Sequence, residues 1–164
     1  MSSARIDKQV KQIVEYVRDY GRVALHVYGD EDGPPFTYSI GFPVSLDHPE
    51  VIIVGLTEEL MKYMIDELWT QISEKGLRLA DGMRIGNLLE GFDCVAREIV
   101  DRDLIDAYFC AGIDYHQTQH GRGIERAFQI VWPDSALGLF PWDPDCPEDV
   151  IEYQPALYPT SLNS

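Results

Sequence analysis

The chain has 164 residues, of which 45% are hydrophobic and 25% charged, and this composition is typical of a single folded domain. Its 28 acidic and 13 basic residues give a formal net charge of −15, which disfavours binding to nucleic acid or to anionic membrane surfaces. The chain has no apolar run long enough to span a membrane, no signal-peptide core and three widely spaced cysteines, so we expect a cytoplasmic protein without disulfides.

The first half of the chain predicts a helix, a hairpin and a central strand. Apolar residues recur at intervals of three and four up to Gly21, which is typical of an amphipathic helix. Residues 23–28 and 36–42 have strand-like patterns and are separated by turn-forming residues, so we expect them to pair as a hairpin. The continuous apolar run 51–56 predicts a strand that is covered on both faces.

A second amphipathic helix is predicted from Thr57, its expected cap, to Gly76. Further on, the sequence indicates strands at 93–100 and 127–132, a short helix at 104–110 and a polar loop at 112–123. After the last strand, prolines and carboxylates alternate with large apolar residues. This pattern predicts an ordered, extended segment over the core, here called the C-terminal strap (residues 133–159).

These elements predict an α+β fold in one compact domain, residues 1–159, with a frayed tail at residues 160–164. We expect a mainly antiparallel sheet on which the two amphipathic helices pack. We also expect the proline-rich, acidic strap to lie against this sheet.

Two blocks of residues resemble the signatures of a bacterial family of unknown function. The blocks are Tyr38-Ser39-Ile40-Gly41-Phe42 with His48-Pro49-Glu50, and Gln129-Ile130-Val131-Trp132-Pro133-Asp134 with Phe140-Pro141-Trp142. The resemblance spans about residues 20–157 and implies a bacterial origin. It implies no activity, cofactor or catalytic residue.

His48 and Glu50 form the first candidate site. They stand two residues apart where the chain enters the predicted central strand, and residues at this spacing share one face of a strand. An imidazole and a carboxylate side by side can act as an acid–base pair. The structural alternative is that Pro49 fixes the loop that enters the strand, that Glu50 caps a nearby group and that His48 bonds to a carbonyl group.

His116 and His120 form the second candidate site. Two imidazoles four residues apart on a helix can share a metal ion, with Asp114 or Cys110 as a further ligand. The flanking glycines favour a polar surface loop instead. No phosphate-binding or dinucleotide-binding motif is present, so we expect no cofactor.

The C-terminal strap is the third candidate site, because residues 127–164 carry six carboxylates and no Lys or Arg. Aromatic rings beside carboxylates are suited to a cationic partner. The residues that we expect to bind this partner are Asp134, Trp142, Asp143, Asp145, Glu148 and Asp149.

Two functional hypotheses follow. The first is a non-catalytic binding protein for a basic protein partner, such as an inhibitor or immunity protein that blocks a basic toxin or nuclease. The second is a protein that binds a small ligand or cofactor, or an enzyme, that uses the region around His48 and Glu50. Since no recognisable catalytic set is present, the sequence favours the first hypothesis.

Overall fold

The computed structural model describes residues 2–160, with side chains from residue 8 onward. Of the predicted tail, residues 161–164 lie outside this range. The described chain forms six helices and six strands in the following order: α1 (Ser2–Tyr20), β1 (Val23–Val27), β2 (Phe36–Ile40), α2 (Phe42–Leu46), β3 (Glu50–Val54), α3 (Glu58–Lys75), β4 (Arg84–Leu89), β5 (Phe92–Ile99), α4 (Arg102–Tyr108), α5 (Cys110–His120), β6 (Ala127–Val131) and α6 (Glu148–Tyr153).

All six strands belong to one sheet, in the order β1-β2-β3-β6-β5-β4. Neighbouring strands are antiparallel except for β3 and β6, which run in parallel with Glu50 opposite Ala127. The predicted α+β class, the single compact fold and the hairpin of β1 and β2 are therefore confirmed. The parallel pair also places the beginnings of β3 and β6 side by side at one end of the sheet.

Helices cover both faces of this sheet. Val51 and Ile53 of β3 point to the side where α3 packs, whereas Ile52 and Val54 point to the side covered by α1, α4 and α5. All five residues of β3 are buried, which confirms the prediction of a central strand with two covered faces.

Helix α5 corrects the prediction of a polar loop at residues 112–123. Its first turn is held by Tyr38 of β2, whose hydroxyl accepts hydrogen bonds from the backbone N–H groups of Ala111 (3.1 Å) and Gly112 (3.3 Å). A glycine lowers helix propensity, so Gly112 makes this segment of the sequence look less helical. A glycine is needed at this position because the helix approaches the sheet closely there. A Cβ atom at this position would lie 3.3 Å from side-chain atoms of both Tyr38 and Ile124.

Two buried glutamines attach the C-terminal strap to the sheet. The side-chain amide of Gln154 bonds both the N–H and the C=O of Trp132, as a neighbouring strand would. The amide of Gln129 donates to Pro155 O (3.1 Å) and accepts from the N–H of Leu157 (2.8 Å). The strap is thus ordered as predicted, but it is not extended throughout, because Glu148–Tyr153 form helix α6. It contacts the end of the sheet where β3 and β6 finish, where Gln154 binds Trp132 and the indole N–H of Trp132 donates to Val54 O.

None of the helices between residues 2 and 160 has an apolar stretch long enough to cross a membrane.

Candidate functional site

Glu50 is the centre of a buried hydrogen-bond network at the beginning of β3. Its Oε1 atom accepts hydrogen bonds from Ser39 Oγ (2.7 Å) and from the N–H of Phe42 (3.2 Å). Its Oε2 atom accepts from the N–H of Gly41 (2.8 Å) and lies 2.8 Å from Nε2 of His116. A fully buried carboxylate is tolerated when its lone pairs are engaged in this way.

The chain between β2 and α2 is shaped to present these donors. Gly41 has a φ of 120°, a conformation that favours glycine, and a Cβ atom there would lie 2.6 Å from the carbonyl oxygen of Gly21. This turn directs the N–H groups of Gly41 and Phe42, which have no partner within α2, toward Glu50. Glu50 therefore caps a neighbouring backbone, as the structural alternative proposed.

His116 reaches this network from α5, on a different part of the chain. Only one fully enclosed side-chain nitrogen or oxygen of the described residues lacks a hydrogen-bond partner, and it is Oε2 of Glu67. Nδ1 of His116 has no hydrogen-bond partner among the residues whose side chains are described, and the residue as a whole is 4% exposed. Glu50 thus engages one of the two ring nitrogens of His116.

His116 also lines a groove of about 550 Å³ at the end of the sheet where β3 and β6 begin. This volume lies within the range of small-molecule sites. The groove is lined by Pro43, Val44, Asp47, His48, Pro49, His116, His120, Arg122, Gly123, Ile124, Glu125 and Arg126. Its charged side chains have both signs, two arginines against Asp47 and Glu125, in a chain whose net charge is strongly negative.

His48 also lies at this groove, but the structure does not pair it with Glu50. Its Nε2 accepts the N–H of Leu79 (3.1 Å), which leaves Nδ1 to donate to the carbonyl oxygen of Pro49 (2.8 Å). Burial lowers the pKa of His48, and the positive charges of Arg78 and Arg126 act in the same direction. The described contacts of His48 are those of a neutral imidazole that joins two backbone segments.

His120 follows His116 by one helical turn and lies at the exposed rim of the groove, with the two ring centroids 6.0 Å apart. Asp114 lines a separate depression beside Val10 and Lys11. Among the residues whose side chains are described, no three His, Cys, Asp or Glu residues are grouped so that they could hold a metal ion.

The six residues predicted to bind a basic partner fall into two groups in the structure. Asp134 is buried, and its carboxylate accepts the N–H groups of three residues between 136 and 139, which lower its pKa. Asp143 accepts the N–H of Phe140 (2.8 Å). These two carboxylates stabilise the strap itself.

The rest of the set faces outward. Asp145, Glu148 and Asp149 are exposed around the start of α6, and no Lys or Arg of the described residues forms a salt bridge with them. Trp142 is 41% exposed, and one face of its ring stacks on Phe140 with the centroids 5.1 Å apart. This outward-facing group lies on the strap, whereas the groove is at the opposite end of the sheet.

The contact between Glu50 and His116 was missed by the sequence analysis, which placed the two residues in different candidate sites. They are 66 positions apart, and local spacing does not relate residues at that distance. One available signal was the position of Glu50 directly before a continuous apolar strand, because an acidic residue there needs a buried partner.

Comparison with known proteins gives a family match. The sequence model of a family described as "Domain of unknown function (DUF4262)" matches residues 16–147, most of the chain. No curated protein and no solved structure matches the chain.

The environment of His48 predicts a pH dependence of stability. Because its pKa is lowered in the folded state, the unfolded chain binds more protons at this imidazole, so the free energy of unfolding should fall as the pH decreases through about 6.5. At pH 8 the free energy of unfolding of His48→Gln should be about 1–2 kcal/mol lower than that of the wild type, because one buried hydrogen bond is impaired. This free energy should also change less with pH in the variant than in the wild type. Urea unfolding between pH 8 and pH 5 measures both effects.

His120→Gln is the matched control, since it removes an exposed imidazole and should unfold at the same urea concentration as the wild type at pH 8. An equal slope in His48→Gln and the wild type would contradict this assignment.

Proposed function

The chain belongs to the DUF4262 family, whose description names no activity, and we propose that it is a small-ligand-binding protein that acts at the groove over Glu50 and His116. One observation carries the proposal. A buried carboxylate fixes one nitrogen of a histidine, and the same histidine lines a groove of ligand size.

The groove combines rigid and adaptable parts. Its rigid part includes the buried side chains of His48 and His116, and Pro49 and Arg126 line it directly before β3 and β6. Its rim is formed by exposed residues after α5, where Arg122 and Glu125 are 3.5 Å apart and both mostly exposed. A pair of this kind contributes little to stability, so both side chains are available to a ligand.

This proposal keeps the location of the second sequence hypothesis and changes its residues. Glu50 remains, as the group that holds the histidine in place. His116 replaces His48, because both ring nitrogens of His48 are already engaged with backbone groups.

Filling the groove should abolish ligand binding. Val44 of α2 lines the groove and is 48% exposed, so Val44→Trp places a large ring in it without altering Glu50 or His116. We expect fragments from a small-molecule library to bind the wild type and to shift backbone NMR signals of residues 43–49 and 120–126. In Val44→Trp their affinity should fall at least about tenfold.

Val100→Trp is the control, because Val100 is 63% exposed and does not line the groove. Its fragment binding should equal that of the wild type. If fragments bind at other segments, or if Val44→Trp binds them as tightly as the wild type, the groove is not a ligand site.

A second function is supported by the outward-facing acids Asp145, Glu148 and Asp149. Under this alternative the chain is a non-catalytic binding protein, such as an inhibitor or immunity protein, and its partner is a basic toxin or nuclease. Three exposed carboxylates beside an exposed tryptophan, in a chain of net charge −15, favour rapid association with a cationic surface.

This alternative is tested by removing three negative charges from the strap in one variant and from another exposed surface in a second variant. The triple variant Asp145→Asn, Glu148→Gln, Asp149→Asn should bind a nona-arginine peptide several-fold more weakly than the wild type at low salt, and the difference should shrink as salt is raised.

The matched control is Asp30→Asn, Glu31→Gln, Asp32→Asn, which removes equal charge from exposed residues between β1 and β2. Equal weakening in the two variants would mean that net charge, and not the strap, determines the binding measured by calorimetry.

A further inference from the structure

The structure contains two histidines of nearly equal burial whose ring nitrogens have different surroundings. His48 is 3% exposed and His116 is 4% exposed. Both nitrogens of His48 are hydrogen bonded to backbone groups. His116 uses only Nε2, and its Nδ1 has no hydrogen-bond partner among the residues whose side chains are described.

The partners of Glu50 determine which nitrogen of His116 carries the hydrogen. Each carboxylate oxygen already accepts a backbone N–H, and Oε1 also accepts the hydroxyl of Ser39. A carboxylate is only an acceptor, so the hydrogen between Glu50 and His116 belongs to Nε2. In the neutral imidazole the lone pair is therefore on Nδ1, and the residue that carries it lines the groove.

We propose that His116 is a general base for a small molecule that carries a hydroxyl group, and that Glu50 is its positioning residue. This inference rests on the proposed ligand groove. In the proton transfer, the O–H bond of the ligand breaks, its electron pair stays on oxygen, and the proton bonds to Nδ1.

Glu50 supports this step in two ways. Its hydrogen bond holds the ring of His116 in one orientation and keeps the lone pair on Nδ1, so the base needs no reorientation. Once His116 has taken up the proton, its ring is positively charged, and the carboxylate 2.8 Å away stabilises that charge in a buried setting. The four hydrogen bonds to Glu50 fix the carboxylate in this position.

The lone pair can be tested on the wild-type protein with diethyl pyrocarbonate, which acylates the bare nitrogen of a neutral imidazole. In this reaction the Nδ1 lone pair forms the new N–C bond, ethyl carbonate leaves, and the hydrogen on Nε2 is lost as a proton. Acylation of each histidine is followed by mass spectrometry of peptides. His116 should react at least about tenfold faster than His48, although the two are equally buried, because only His116 has a bare nitrogen.

Two further measurements make the test specific. In ¹⁵N NMR spectra at neutral pH, His116 should carry its hydrogen on Nε2, and Glu50→Gln should abolish this tautomer preference because an amide can donate as well as accept. In Val44→Trp, acylation of His116 should slow several-fold, whereas His26, which does not line the groove, should react as in the wild type.

A hydrogen on Nδ1, or acylation of His116 no faster than that of His48, would overturn the assignment of His116 as a base. Fragment binding in the groove that persists despite such a result would leave the ligand site intact, so the two proposals fail separately.

Discussion

The buried carboxylate of Glu50 is the constraint on which this end of the molecule depends. It joins β2 through Ser39, the start of α2 through Gly41 and Phe42, and α5 through His116. Removing a charge from water in this way is costly unless each oxygen is engaged by donors. The four bonds therefore bring three chain segments together, which are residues 39–42, Glu50 and His116. His116 also lines the groove.

The parallel pairing of β3 and β6 separates the two candidate surfaces. Both strands begin at the groove and finish near the strap, where Gln129 and Gln154 substitute for strand-to-strand hydrogen bonds. The groove contains charges of both signs, while the strap exposes carboxylates. A ligand in the groove and a basic protein at the strap would therefore not compete for the same residues.

Much of the fold could be predicted because its main elements have local signals. The alternation in β2, the apolar run of β3 and the cap of α3 are all visible in short segments. Helix α5 could not be predicted in this way, since its first turn is capped by Tyr38, more than 70 positions earlier, and since Gly112 is required by close packing. The site had the same limitation. Its residues were found separately, but the contact between Glu50 and His116 depends on tertiary structure.

A double-mutant cycle between Glu50 and His116 tests most directly whether the carboxylate holds the histidine. The free energy of unfolding in urea is measured at neutral pH for the wild type, Glu50→Gln, His116→Phe and the double variant. A buried hydrogen bond to a charged group predicts a coupling energy of about 1.5–3 kcal/mol between the two positions. Effects that add to within about 0.5 kcal/mol would contradict the account, because Glu50 would then not determine the position of His116.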